Sequence, residues 1–253
     1  MKKNNYWMIG GIAAIVIILI WILAVNYAGR KGSEDPAPTA GSSEESGVSS
    51  QADGAHGGMD HGMSQENAME ADPLTAYLEE QDSIMADMME GMEAVEMTGN
   101  ASLDFLYGMI PHHESAVDMA ESYLRHGGEH EQLRQMAEAI IETQTDEISQ
   151  MKNMMETIRE EGAVDQEKEA AYMEEYNKMM DSHSSHMGHS SGKNVEEAFA
   201  QGMMMHHQMA VEMSEAILNY ADEEEVKTLA QNIISAQEEE IELMKSVLGQ
   251  GKQ

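Results

Sequence analysis

The chain of 253 residues carries 26 methionines, 11 histidines and no cysteine, and its formal net charge is −33 at pH 7. This charge argues against a nucleic-acid partner, because phosphates would be repelled. The lack of cysteine leaves thioether sulfur and imidazole nitrogen as the soft donors available to a metal. With only 2 Phe and 2 Trp, we expect an aliphatic and methionine-rich core in helices packed on helices, not an aromatic-rich sheet.

Residues 1–31 are predicted to form a membrane anchor. Lys2 and Lys3 precede an uncharged run from Trp7 to Val25, which as a helix would be roughly 28 Å long and would match the apolar thickness of a bilayer. The run is longer than the apolar part of a secretory signal and lacks a clear cleavage motif, so we expect it to stay uncleaved. Positive charges before it favour an N-terminus inside the cell. We therefore expect a single-pass cell-membrane protein whose soluble part is extracytoplasmic.

Residues 32–71 are rich in Gly, Ser, Ala, Pro and acidic residues and show no apolar periodicity. This composition is typical of a disordered linker. The segment HGGMDHGM within it could capture a metal loosely, and the alternative interpretation is an ordinary low-complexity linker. Its candidate accessory ligands are His56, Met59, His61 and Met63.

The remaining residues show helical periodicity. Asp72-Pro73 is typical of a helix start, since proline is favoured at the first helical position. We expect helices near residues 73–97, 102–126, 130–160, 165–181, 194–220 and 223–248. The first carries a row of methionines, which we interpret as core packing: Met85, Met88, Met89 and Met92. A polar segment after the fourth helix supplies further candidate accessory metal ligands: His183, His186, Met187 and His189.

An internal repeat relates residues 72–163 to residues 164–253. His112 matches His206 at an offset of 94, and Glu147 matches Glu240 at an offset of 93. Two helix pairs that each cannot bury an apolar face alone most simply close into a pseudo-twofold four-helix bundle. The predicted fold class is therefore all-α, a single four-helix bundle over residues 72–253 with an extra methionine-rich helix.

Each half carries a paired histidine in a methionine-rich helix, MIPHHESAVDMAE from Met109 and MMMHHQMAVEMSE from Met203. Helical spacing puts both pairs on or beside the buried face. The partner helix of each half carries a glutamine and a glutamate on its own apolar face, Gln144 and Glu147 in the first half. These groups need partners in a core. A metal held by the histidines would supply one. Direct hydrogen bonds that fix the histidine tautomers are the alternative, which is compatible with a metal site.

The candidate metal ligands follow from this pattern. They are His112, His113, Met109, Met151 and Glu147 in the first half, and His206, His207, Met203, Met244 and Glu240 in the second. The glutamates are either direct ligands or partners of the ligating histidines. Pro111 stands where the second half has Met205, and a proline inside a helix removes one backbone hydrogen bond. We therefore expect the two half-sites to differ in affinity.

The segments FLYGMIPHHESAVDMAE and QTDEISQM resemble the ferritin-like family known as domain of unknown function 305, which includes the CopM-type copper-binding proteins. The resemblance covers about residues 75–160 and again 172–248. It implies a ferritin-like helical bundle and extracytoplasmic copper binding in metal tolerance. Carried onto this sequence, it points to the histidines and methionines of both halves: His112, His113, Met109, Met151, His206, His207, Met203 and Met244. The second copy departs from the pattern at Met205.

Three functions compete. The first is binding of copper for buffering, tolerance or hand-over to an unknown transport partner, without catalysis; the spacing also suits zinc or silver. The second is a di-metal oxidase on a ferritin-like bundle, which usually needs Glu-x-x-His on two helices, and no histidine of this chain has a glutamate three residues before it. The third is a non-metal surface protein whose methionines pack and bind a partner.

Overall fold

The computed structural model describes residues 72–184 and 190–250. Within these ranges the secondary structure consists of six α-helices and no strand, which confirms the all-α prediction. The helices are α1 Pro73–Glu93, α2 Ala101–Arg125, α3 Glu131–Glu161, α4 Gln166–Ser184, α5 Val195–Ile217 and α6 Glu224–Gln250. None of these described helices is long and apolar enough to cross a membrane. The predicted anchor (7–25) and linker (32–71) lie outside the described residues.

The helix starts follow local capping chemistry that the repeat carries twice. The side chain of Asn100 accepts a hydrogen bond from the backbone N–H of Leu103, 3.1 Å away, at the start of α2. Asn194 accepts from the N–H of Glu197, 2.8 Å away, at the start of α5. Such caps satisfy backbone donors that have no partner inside the helix. Both histidine helices therefore begin at the same point of the repeat.

Four helices form the centre of the fold. Helix α2 packs along α3, and α5 packs along α6; the two pairs meet through α2 against α5 and α3 against α6. Helix α1 lies against α2, and α4 lies against α5 and α2. Each half of the repeat thus contributes one flanking helix and one helix pair. The histidines lie on α2 and α5, the two helices that meet at the centre.

Contacts between side chains fix the directions of these helices. Tyr123 stacks on Phe199 with ring centroids 4.2 Å apart, and His112 lies against His206 further along the same pair. Residue numbers rise on α2 as they fall on α5, so the two helices are antiparallel. Helix α1 approaches α2 closely, because a Cβ added at Gly91 would lie 2.9 Å from the Cβ of Pro111.

Candidate metal centre

Four imidazoles lie in the interior where α2 meets α5. The side chains of His112, His113, His206 and His207 are all 0% exposed. The rings of His112 and His206 lie closest, with their centroids 3.8 Å apart. The pseudo-twofold repeat thus brings one histidine of each pair together, a contact that joins the two halves of the chain.

Hydrogen bonds across this contact define the tautomers of both rings. Nε2 of His112 lies 2.9 Å from the carbonyl oxygen of His206, which can only accept, so this nitrogen donates. The hydroxyl of Ser115 donates to the carbonyl of His112 at 2.7 Å and lies 2.7 Å from Nε2 of His206. Because its proton is already donated, Ser115 accepts from His206. Both rings therefore carry their proton on Nε2.

The outer histidine of each pair contacts a glutamate of the neighbouring helix. Nε2 of His113 lies 2.9 Å from Oε2 of Glu147, and Nε2 of His207 lies 2.6 Å from Oε2 of Glu240. The Glu147 side chain is 10% exposed and that of Glu240 is 23% exposed. An ionised carboxylate accepts from Nε2–H, so these two imidazoles have the same tautomer as the inner two.

In the neutral form of each of the four imidazoles, Nδ1 is therefore the nitrogen with a free lone pair. Each of these Nδ1 atoms is buried and has no hydrogen-bond partner among the described residues. A buried acceptor left unsatisfied costs about 1–3 kcal/mol. Four such atoms in one region need a common explanation, and a metal ion is a ligand that neutral imidazole nitrogen binds well. The residues present thus fit a metal on chemical grounds.

Burial keeps the inner imidazoles neutral. It lowers the pKa of His112 well below its usual value, and the nearby His113 lowers it further. Burial likewise lowers the pKa of His206, with His112 contributing next. A neutral imidazole is the form that binds a metal. His112 and His206 are therefore held in the protonation state that coordination requires.

The helix register places methionines beside the His–Glu pairs. Lys152 contacts Glu114 and Arg159 contacts Tyr107, so α2 and α3 run in opposite directions. Met109 lies one turn before His113, and Met151 lies one turn after Glu147, so these two residues occupy facing positions next to that pair. Met203 and Met244 occupy the matching positions on α5 and α6. All four methionines are fully buried.

The predicted ligands do not all converge on one point. The ring centroids of His112 and His113 lie 6.2 Å apart, and those of His206 and His207 lie 6.0 Å apart. Over residues 72–184 and 190–250, no three His, Asp or Glu side chains are grouped so that they could hold a metal. The thioether sulfurs of the four buried methionines are the other predicted donors in this centre. The amide oxygens of Gln144 and Gln237 are also buried without a partner.

Among the accessory candidates the structure describes His183, which lies near enough to the centre to add to the lowering of the pKa of His112 by burial. Nε2 of His183 lies 2.9 Å from Oε2 of Glu212 on α5. His56, Met59, His61, Met63, His186, Met187 and His189 lie outside the described residues, so their accessory role stays a prediction.

Sequence reasoning did not identify Ser115 as part of this centre. It lies on the buried side of α2, three residues after His112, at a position where the second half has Met209. A small polar residue that replaces methionine within a repeat was the available signal. Because of this hydroxyl the two halves differ: His112 donates directly to a carbonyl, whereas His206 donates to Ser115.

Comparisons with known proteins found similar solved structures and one matching family model. Solved structures similar to this chain include CopM in the Ag-bound form, with 29% identity over 59% of this chain and 95% of that chain and a TM-score of 0.45. CopM in the Cu(I)-bound form shows 28% identity over 59% and 96% of the two chains, TM-score 0.45. CopM in the Cu(II)-bound form shows 30% identity over 57% and 94%, TM-score 0.43. No curated protein matches the chain. The sequence model of Domain of unknown function (DUF305) matches residues 32–155 and again 102–248, and the chain belongs to this family.

Proposed function

We propose that this protein binds copper as cargo through the histidines and methionines where α2 and α5 meet. The observation that carries the proposal is the set of four buried Nδ1 atoms without partners, each on an imidazole whose Nε2 is already bonded. No hydrogen-bond donor within residues 72–184 and 190–250 satisfies these lone pairs. A metal ion would satisfy them without moving the hydrogen bonds that orient the rings.

The donor set favours copper among common metals. Thioether sulfur selects Cu(I), and imidazole suits both Cu(I) and Cu(II). Silver shares the softness of Cu(I), whereas zinc gains little from thioethers. His112 and His113 with Met109 and Met151 would form one half-site. His206 and His207 with Met203 and Met244 would form the other. Glu147 and Glu240 would orient their imidazoles rather than ligate, since each already accepts from Nε2.

The proposed role is capture and storage or hand-over, not catalysis. In this setting the protein would buffer copper outside the cytoplasm, held at the cell membrane by residues 7–25. The linker and the segment from His183 to His189 would offer accessory ligands during uptake. These steps rest on the sequence: an uncharged run long enough to span a bilayer and two polar segments that contain both histidine and methionine.

Metal titration of the full-length protein under anaerobic conditions tests the proposal. We expect tight binding of Cu(I) and Ag(I), a weaker response to Zn(II), and a change of the Nδ1 nitrogen signals of the four histidines in ¹⁵N NMR. The variants His113→Gln and His207→Gln should each weaken binding at least 10-fold in their own half. His126→Gln is the matched control, because Nε2 of His126 also contacts a glutamate, Glu80, whereas its Nδ1 is not one of the buried atoms without a partner. Unchanged Nδ1 signals at metal saturation would contradict the proposal.

Thermal unfolding separates this function from a non-metal surface role. An ion that binds only the folded chain stabilises it by mass action, by about 2.7 kcal/mol at 100 times its dissociation constant. We therefore expect Cu(I) and Ag(I) to raise the melting temperature of the wild-type protein, and to do so less in His113→Gln. A melting temperature that does not change when copper is added would favour the alternative of a surface protein that binds no metal.

A further inference from the structure

A second methionine-lined space lies away from the histidines, between the end of α1 and α4. It is a cavity of about 240 Å³. Met92 from α1 and Met173 and Met180 from α4 line its buried part. The exposed part of the lining consists of polar residues: Glu93, Asn177, Asp181 and Ser184. The cavity opens to solvent at its polar rim, and inside it Met173 and Met180 are slightly exposed whereas Met92 is fully buried.

The thioethers are the donors left free in the buried part. The hydroxyl of Tyr176, which also lines the cavity, donates to the backbone carbonyl of Met92 at 2.9 Å. This hydrogen bond joins α4 to α1 and occupies the phenolic proton. Methionines that served only as packing would fill the space between the helices, because protein interiors are close-packed. Here they border a space several times larger than one water molecule.

The charges at the rim favour a cation. Glu93 and Asp181 are exposed at the mouth of the cavity, and the chain as a whole is strongly negative. This negative charge acts on the buried Tyr176: burial raises the pKa of its hydroxyl, and the charge of Glu93 contributes to the same rise. A concave site with carboxylates at its rim concentrates cations near its entrance. Uncharged sulfur inside then selects soft monovalent ions over Zn²⁺ or Mg²⁺.

We propose that this cavity is a separate binding site for a soft monovalent cation, Cu(I) or Ag(I), held by the sulfur atoms of Met92, Met173 and Met180. The site goes beyond the histidine centre and does not depend on it, since it shares no residue with it. It would give the protein a thioether-only site near the surface in addition to the mixed imidazole and thioether centre inside.

Methyl NMR of the full-length protein tests the site residue by residue. The probe is Ag(I), added to protein labelled with ¹³C at the methionine ε-methyl groups and assigned by single Met→Leu variants. We expect the signals of Met92, Met173 and Met180 to shift together and to reach their end point at the same silver equivalent. Signals of Met88, Met136 and Met213, which are equally buried but line no part of the cavity, should not follow them. Zn(II) should leave the three cavity signals in place.

A matched pair of triple variants gives the second measurement. Leucine preserves the volume of methionine closely, so M92L/M173L/M180L removes sulfur with little change in packing. We expect this variant to bind one equivalent of Ag(I) fewer than wild type, while M88L/M136L/M213L keeps the full number. The proposal would be overturned if the methyl signals of Met92, Met173 and Met180 kept their chemical shifts at silver saturation. It would also be overturned if M92L/M173L/M180L bound as many equivalents of Ag(I) as wild type. Failure of the histidine centre would appear separately, as unchanged imidazole Nδ1 signals.

Discussion

At the scale of single residues, one hydroxyl makes the hydrogen-bond partners of His112 and His206 differ. Ser115 stands between Nε2 of His206 and the carbonyl of His112, and it contacts both. The inner histidines therefore have the same tautomer but different partners. Periodicity predicted that these rings are buried. It could not predict that His112 meets His206 and not its neighbour His113, because the pattern on one helix does not specify which residue of another helix it faces.

Replacing Ser115 by alanine should affect one histidine selectively. His206 would lose the acceptor of its Nε2–H, so its tautomers would mix, whereas His112 would keep its bond to the carbonyl of His206. We expect a stability loss of about 1 kcal/mol and a change in the ¹⁵N signals of His206 alone. Ser122→Ala is the control, because Ser122 lies on the same helix as Ser115 but donates to Glu80 of α1. An unchanged His206 spectrum would show that Ser115 does not fix its tautomer.

Glu147 should influence metal binding without touching the metal. Its carboxylate accepts from Nε2 of His113 and so makes Nδ1 a better donor; removal of such partners typically weakens metal affinity 10–100-fold. We expect Glu147→Gln, which keeps the shape and an acceptor oxygen, to weaken Cu(I) binding about 10-fold. Anaerobic competition with a chromophoric chelator measures this. Glu142→Gln, exposed on the same helix, should bind as wild type, and equal affinities for both variants would argue against the role.

At the scale of helices, local sequence signals placed the elements well. The expected ranges for α2, α3, α5 and α6 agree with the structure within a few residues, since asparagine caps and apolar periodicity define them. The sequence predicts that helix α1 extends to about Met97, but it ends at Glu93. The side chain of Met97 is 56% exposed, and the backbone N–H of the next residue, Thr98, donates to Asp104 of α2 instead of continuing the helix.

The junction between α1, α2 and α4 contains a carboxyl pair that periodicity does not reveal. Asp104, fully buried in α2, accepts hydrogen bonds from the backbone N–H of Thr98 at 3.1 Å and from its hydroxyl at 2.7 Å. Glu169, buried in α4, accepts from the N–H of Gly99. Gly99 adopts a φ of +94°, a left-handed conformation that favours glycine. Burial, together with the charge of Glu169, raises the pKa of Asp104 to about 6, although the hydrogen bonds from Thr98 act to lower it.

This pair should make the fold less stable as the pH rises from about 4 to 6. The folded state holds a proton on Asp104 that the unfolded chain has already released, so the free energy of unfolding falls with pH across this window. Asp104→Asn keeps an acceptor for Thr98 and removes the titration. We expect urea unfolding of this variant to lack that fall, a difference of roughly 1–2 kcal/mol. In the control variant Asp146→Asn, a substitution at an exposed position of α3, the free energy of unfolding should still fall between about pH 4 and 6. The same fall in Asp104→Asn would show that another group causes it.

At the scale of the whole molecule, the inner histidines should make the fold acid-sensitive. Burial holds the pKa of His112 and His206 well below 6.5 in the folded state, whereas the unfolded chain takes up protons near that pH. The unfolded state therefore binds more protons as the pH falls, and the free energy of unfolding decreases on acidification from pH 7 to 5. Asp104 has the opposite effect, since it makes the free energy of unfolding increase on acidification. Its pH range of about 4 to 6 overlaps the range of about 5 to 7 in which the histidines act.

The overlap decides how the histidine effect must be measured. In the Asp104→Asn background the opposing carboxyl contribution is removed, so we expect urea unfolding to show the decrease from pH 7 to 5 clearly. Adding His112→Gln and His206→Gln should flatten it, since glutamine can donate to the same acceptors and does not titrate. His126→Gln is the control, because His126 lies near the surface and contacts Glu80. An equally steep decrease without the two inner histidines would show that their burial does not govern acid stability.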